Sequence, residues 1–258
     1  LVAKDLLAQI EKMSENQNEP LGVPTGFTDL DKILGGLQRS DLVIIAGRPG
    51  QGKTALMLSV ALNAAKRKKQ VAFFSLEMPN EQLLQRLMAQ ETGIDTHTLR
   101  LGKLDNDDWS TIYRSIGLLS ELGIYLDDTP SISPMQLRTK CRRLAAEINL
   151  DLIVVDYLQL MNADLGGGVN RVQEVSYISR HLKSLARELN VPVIAGAQLS
   201  RGVEQRTGQR PVLSDLRESG SIEQDADVVM FLHHPDAWDD DPTREGITQI
   251  LVAKHRNG

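Results

Sequence analysis

Residues 47 to 54 read Gly-Arg-Pro-Gly-Gln-Gly-Lys-Thr, a glycine-rich loop closed by a lysine and a hydroxyl. At this spacing Gly47, Gly50 and Gly52 allow the tight bend that turns successive N–H groups inward onto phosphate oxygens, with Arg48, Pro49 and Gln51 completing the loop. Lys53 can reach the terminal phosphates, and the Thr54 hydroxyl can bind Mg²⁺. The loop follows the apolar run Leu42–Ala46 and opens into the helical pattern Thr54–Lys66. Strand, loop and helix in that order are the context the pattern requires, and the helix start adds partial positive charge. The expected ligands are therefore ATP or another nucleoside triphosphate, with Mg²⁺. A plain surface turn would not call for the full spacing with both flanks.

Hydrolysis needs more groups than these. Leu152-Ile153-Val154-Val155-Asp156 is an apolar strand ending in a carboxylate, which places Asp156 as a second Mg²⁺ group. No Glu follows it directly: the next residues are Tyr157, Leu158 and Gln159. The better candidate for the base is Glu77, at the end of Val71–Leu76, because parallel strand ends share one edge of a sheet. The alternative for Glu77 is a plain helix-start residue before Met78-Pro79. Gln198 closes another apolar run, Val193–Ala197, and its amide can sense the γ-phosphate or the water beside it. Near the end of the chain, strand periodicity puts Lys254 and Arg256 on one face with His255 opposite. Two cations there suit a γ-phosphate, in cis or in trans, whereas the bland reading is a solvated basic tail.

These residues must be positioned by an α/β framework. Strand-like runs fall at Leu42–Ala46, Val71–Leu76, Ile124–Leu126, Leu152–Val155, Val193–Ala197, Val228–Leu232 and Thr248–Val252. Helical patterns fall at Thr54–Lys66, Glu81–Thr92, Asp107–Leu119, Pro134–Ile148, Gln173–Leu189 and Ser221–Asp225, with Ser133-Pro134 as a cap-and-proline start. This alternation predicts a mainly parallel twisted sheet flanked by helices, and the last two strands, lacking a helix between them, predict an antiparallel edge. Two polar segments, Asn162–Asn170 and Ser200–Ser214, are long for simple connections. Leu1–Met13 reads as an amphipathic helix and Ser14–Pro20 as a linker, so the expected division is a linker helix and linker over 1–20 and an α/β domain over 21–258. A lone helix before a linker cannot bury its apolar face by itself; it either folds back on its own domain or docks on a neighbouring subunit, the latter being favoured.

The bulk numbers narrow the class. One cysteine, Cys141, excludes an internal disulfide framework and reads as a packed thiol. No apolar run approaches the ~20 residues of a membrane span, and Leu1-Val2-Ala3-Lys4-Asp5 has neither a signal layout nor a Met. A cytoplasmic protein without membrane contact, starting partway through a longer chain, is expected. The net charge of −5 gives no global basic field, so nucleic acid would need local cations; aromatics at 4% argue against base stacking as the main grip. The five histidines and Cys141 have no metal-ligand spacing, and His233-His234 reads as structural.

Several segments resemble a known family. Pro24-Thr25-Gly26-Phe27-Thr28-Asp29-Leu30-Asp31 resembles RecA-like ATPases. Ser75-Leu76-Glu77-Met78, Val155–Leu160, Gln198-Leu199-Ser200-Arg201, Asp215–Asp227 and Lys254-His255-Arg256-Asn257-Gly258 are similar, in order, to the C-terminal motor domain of the bacterial replicative helicase family DnaB. The resemblance implies a RecA-like core, a homo-hexameric ring, and ATP-driven 5′ to 3′ movement on single-stranded DNA at the replication fork. It implies primase and a helicase loader as partners of the full-length protein. It implies Lys53 and Thr54 at the phosphates and metal, Asp156 at the metal, Glu77 as base, Gln198 as sensor, and Lys254 and Arg256 acting across a subunit interface. DNA phosphates would fall to Arg217, Glu218 and Gly220, with Arg171 beside the first channel loop; without the resemblance Arg217-Glu218 reads as a surface ion pair. Departures are Gly47 where the family often has Ala, Ala197 where it has Ser, and His233–Trp238 where an Arg- or Tyr-rich stretch is common. A recombinase-type filament and a nucleotide-gated ring that moves no DNA are the competing classes.

Overall fold

The computed structural model describes residues 20–166, 169–200, 202–203, 210–234, 243 and 246–256, without the side chains of 217–220. The expected linker helix (Leu1–Met13) and all but the last residue of the linker that follows it, to Pro20, lie outside the described residues. In chain order the elements are α1 (Thr28–Leu34), β1 (Leu42–Gly47), α2 (Lys53–Lys66), β2 (Gln70–Ser75), α3 (Asn80–Thr92), α4 (Thr96–Leu101) and α5 (Asn106–Glu121). There follow β3 (Ile124–Asp127), α6 (Pro134–Glu147), β4 (Leu150–Asp156), a 3₁₀ turn (Leu158–Leu160), α7 (Arg171–Leu189) and β5 (Val193–Gln198). A further 3₁₀ segment (Leu213–Ser219), α8 (Gly220–Asp225), β6 (Val228–His233) and β7 (Gln249–His255) follow.

The seven strands form one sheet in the order β3-β2-β4-β5-β1-β6-β7. All pairings are parallel except β6 with β7. The parallel sheet with an antiparallel edge, expected from the element alternation, is found. The inner strands β1 and β4 are buried along their whole length, as a parallel sheet covered on both faces requires. The strand period of two splits their side chains between two cores. Leu42, Ile44 and Ala46 pack with Leu137 and Cys141 of α6 and with Ile178, Leu182 and Leu185 of α7. Val43 and Ile45 pack with Leu30 and Leu34 of α1, Met57, Leu58 and Ala61 of α2, and Leu83 and Leu87 of α3.

Local signals explain the helix starts. Ser133 accepts from the Gln136 N–H while the Gln136 side chain accepts from the Ser133 N–H, so the expected start of α6 is a reciprocal cap with proline in the first turn. The Pro24–Asp31 segment acts as a latch. The Asp31 carboxylate takes the N–H of Thr25 at 2.8 Å, the Thr25 hydroxyl at 2.8 Å and the N–H of Gly26 at 3.1 Å. Asn63 of α2 donates to the Thr25 carbonyl at 3.0 Å. The segment thereby anchors the helix that carries Lys53 and Thr54.

Candidate functional site

The ends of four parallel strands meet at one edge. Gly47 of β1 pairs with Gln198 of β5, and Ser75 of β2 pairs with Asp156 of β4. Leu76 donates to the Asp156 carbonyl at 2.7 Å, which fixes Glu77 just beyond the same edge. The loop from β1 to α2 turns through Gly50 and Gly52 at φ +80° and +85°; an added Cβ would meet no atom within 4 Å, so only the left-handed backbone demands glycine there. A cavity of about 290 Å³ opens at this edge, lined by Gly50, Gly52, Lys53, Thr54, Glu77 and Gln198, with Arg86 and Tyr157 beside them. Lys53, Thr54, Glu77, Asp156 and Gln198, separated by up to 145 positions in sequence, are brought together as the strand-end reading expected.

The electrostatics are those of a site for an anion with a cation. The Lys53 ammonium donates to the carbonyls of Gly47 at 3.0 Å and Arg48 at 3.2 Å. Burial holds its pKa below the ordinary lysine value, against the pull of Asp156 and Glu77. Asp156 is 1% exposed. Burial raises its carboxyl above the ordinary range, opposed by the Thr54 hydroxyl, which donates to Oδ2 at 2.6 Å. Its other oxygen, Oδ1, is buried without a hydrogen-bond partner. A hydroxyl and a carboxylate converging, with one buried oxygen left over, are the donor set of a hard divalent cation such as Mg²⁺. Residues Thr54 and Asp156 therefore fit the metal expected from sequence.

Two residues at the site were not singled out by sequence reasoning. Arg86, on α3, lines the cavity and its charge lowers the Asp156 carboxyl. It carries no local signature; only the packing of α3 against α2 brings it there. Tyr157 follows Asp156 and lines the same cavity. Gln51 accepts from the His234 N–H at 3.0 Å, which ties the phosphate loop to the end of β6. His233 is buried and Nδ1 of His234 lies 2.8 Å from the Ile247 carbonyl, as suits structural histidines.

Lys254 and Arg256 are elsewhere. The Arg256 N–H bonds the Asp227 carbonyl at 2.9 Å, and the Asp227 N–H bonds the Leu42 carbonyl at 2.9 Å, so both cations sit at the start of β1. Gly47 lies five residues further along β1, roughly 17 Å at 3.3 Å per residue. The cations thus occupy the opposite edge of the sheet from the phosphate loop. Lys254 Nζ donates to the Glu223 and Ala226 carbonyls at 2.7 Å each, and Arg256 Nη2 to the Gln224 carbonyl at 2.8 Å. These carbonyls lie in the last turn of α8 and just beyond it, where cations are favoured. Arg256 Nη1 also pairs with buried Asp227 at 3.2 Å, a carboxylate that Lys183 holds at 2.5 Å. A single chain cannot bring Arg256 to its own loop.

Of the residues read toward DNA, Arg171 opens α7 and engages Glu174 at 2.7 Å and the Gln159 carbonyl. The side chains of Arg217 and Glu218 lie outside the described residues; their backbone belongs to the 3₁₀ segment, and Gly220 begins α8.

The family model described as the DnaB-like helicase C terminal domain matches residues 22–258. The chain belongs to that family. It is 52% identical over 260 residues to the replicative DNA helicase DnaB of Geobacillus stearothermophilus, covering 99% of this chain and 57% of that protein. It is 51% identical over 260 residues to the replicative DNA helicase DnaC of Bacillus subtilis (strain 168), with the same coverage. The chain therefore spans little more than half the length of these relatives. Among solved structures, an ATPase domain superposes at TM-score 0.92 with 36% identity, covering all of this chain and 92% of that one. A DnaB-like replicative helicase, described with its interactions with primase, superposes at TM-score 0.90 with 36% identity, covering 99% and 62% of the two chains. The fold of this DnaB-like domain is accordingly RecA-like. No helix among the described residues is long and apolar enough to cross a membrane.

Proposed function

We propose that the chain is the ATP-hydrolysing motor of a ring-shaped replicative DNA helicase. The observation that carries this reading is the division of the site: phosphate loop, metal pair and Glu77 on one sheet edge, and Lys254 with Arg256 on the other. A site split in this way is complete only when a second copy supplies the missing edge. Six copies closing into a ring is the arrangement the family resemblance implies.

In this mechanism the loop N–H groups and Lys53 hold the β- and γ-phosphates of ATP. Thr54 and Asp156 hold Mg²⁺, which when bound supplies neutralisation of the phosphate charge. Glu77 accepts the proton of the attacking water. Gln198 hydrogen-bonds the γ-phosphate and changes partner when that group leaves. Arg256 and Lys254 of the neighbouring copy stabilise charge that develops on the transferring phosphoryl group. Arg217, Glu218 and Gly220 contact backbone phosphates of single-stranded DNA, and Arg171 contributes at the 162–170 loop when it leaves Gln159. Phosphate contacts position the polymer without reading its sequence, as a translocating motor needs.

The names of the relatives support replication as the process, and the structural neighbour described with its primase interactions supports primase as a partner of the longer protein. A loader, 5′ to 3′ travel, a linker helix over 1–20 that docks on the next subunit, and cytoplasmic location at the fork complete the proposal. The decisive test combines electron microscopy of the protein with an ATP analogue and a short oligonucleotide with a hydrolysis assay. Closed rings holding DNA and hydrolysis stimulated by it are expected. Full-rate hydrolysis by solitary subunits indifferent to single-stranded DNA would refute the reading.

A further inference from the structure

Strand β4 stops at Asp156, whereas the neighbouring β5 runs on to Gln198. The last residue of β5 consequently has no main chain beside it on the β4 side. The side chain of Gln159, in the 3₁₀ turn after β4, takes that place. Its Oε1 accepts the Gln198 N–H at 3.1 Å and its Nε2 donates to the Gln198 carbonyl at 3.1 Å, the two bonds a paired strand would make. On the other side of β5, the Gly47 carbonyl accepts the Leu199 N–H at 3.3 Å, and Arg48 Nη1 donates to the Leu199 carbonyl at 3.0 Å. Gln159's own carbonyl accepts from Arg171 Nη2, on the first residue of α7.

These groups surround a second cavity, about 450 Å³, lined among others by Arg48, Gln159, Arg171 and Ser200. Tyr157 and Gln198 line both this cavity and the one at the phosphate loop, so the two adjoin.

We infer that Gln159 is a positioning residue that sets the height of Gln198 at the γ-phosphate and ties it to the start of α7. The inference rests on the proposed role of Gln198 as phosphate sensor. One residue has two attachments: its amide grips the main chain of the sensor, and its main chain receives the arginine that begins the helix after the 162–170 loop. A side-chain amide can exchange partners as a sheet ladder cannot, so the β4 side of Gln198 can be released at this joint while its pairing with Gly47 of β1 is kept. A primary amide is required, because both a donor and an acceptor are used.

The test measures ATP hydrolysis by the ring-assembled protein with and without an oligo(dT) strand, for Gln159→Ala, Gln159→Glu and Gln198→Ala. Gln159→Glu keeps the shape and the acceptor but removes the donor. Gln159→Ala, which loses two partly buried hydrogen bonds, and Gln159→Glu, which loses one and sets a carboxylate against the Gln198 carbonyl, are each expected to lower the oligonucleotide-stimulated kcat about tenfold, with KM for ATP within about twofold and the melting temperature little changed. The double variant with Gln198→Ala should be no slower than Gln198→Ala alone. Normal stimulated kcat in Gln159→Glu, or effects that simply add in the double variant, would overturn the inference while leaving the sensor role of Gln198 standing. Stimulated turnover retained in Gln198→Ala would remove the sensor role itself, and this inference with it.

Discussion

Asp156 illustrates the conflict between stability and chemistry at the scale of one side chain. Its carboxylate is buried, and burial raises its pKa above the ordinary value. A carboxyl whose folded pKa exceeds its unfolded one weakens the fold at neutral pH, and that penalty disappears as pH falls through the raised value toward 3.8. Asp156→Asn should therefore raise the melting temperature of the nucleotide-free protein while abolishing Mg²⁺-dependent turnover; calorimetry and a hydrolysis assay read the two effects. Metal-dependent nucleotide binding should fail on acidification through the same raised pKa. At Lys53 the sign is reversed: its lowered pKa means the cation that meets phosphate is lost at a pH below that of an ordinary lysine, so ATP affinity should fall early on the alkaline side. Lys53→Ala should abolish turnover at any pH. Cys141 is inert for the same physical reason, since burial pushes its thiol up to about 12. It should resist alkylation until the protein unfolds.

At the scale of elements, the site depends on strand ends held level by helices packed on both faces. The main-chain conformation of Gly52, φ +85°, begins α2. Gly52→Ala should cost about 1–2 kcal/mol in denaturant unfolding and raise KM for ATP, because the strain falls on the loop that wraps phosphate. Asp31→Ala should loosen the latch by a similar ~1–3 kcal/mol, from three hydrogen bonds left without their acceptor. The seven strands were legible because each carries a short apolar run bounded by polar or turn residues. Their ends were less so: β4 begins at Leu150, two residues earlier than expected, because Asp151 interrupts the run yet is buried with the Gln70 N–H at 3.0 Å. Strand β7 continues to His255, past the expected Val252, because an edge strand is half exposed and its pattern is weak. The short helices α1 and α4, seven and six residues, have too few turns to show periodicity. Lys53, Thr54, Asp156, Glu77 and Gln198 could be placed from sequence because each sits at a strand end or in a fixed loop. Arg86 and Gln159 could not, since their positions follow only from which helix and which turn pack beside the sheet.

At the scale of the whole molecule, Arg256 is separated from its own phosphate loop, and the proposed trans role would make turnover a property of the assembly. Arg256→Ala should cut hydrolysis by assembled protein by about a thousandfold or more, the range of a missing finger, while nucleotide binding by isolated subunits is kept. Equal harm in a solitary subunit would contradict the trans assignment. A mixing experiment is sharper. Lys53→Ala and Arg256→Ala proteins, each inactive alone, should regain part of the activity when combined, because some junctions then carry an intact loop facing an intact arginine. Arg217→Ala should weaken DNA binding without creating a base preference, and should reduce its salt dependence, as loss of a phosphate contact does.

The reversal of the chain into β7 has a further consequence. It carries Lys254 and Arg256 to the rim opposite the phosphate loop, so under the proposed trans role copies would join front to back, all pointing the same way around. Such a contact has no natural two-membered form; it either meets its own tail or grows without limit. Directionality in the finished machine would then be inherited from a single hairpin, before any fuel is consumed.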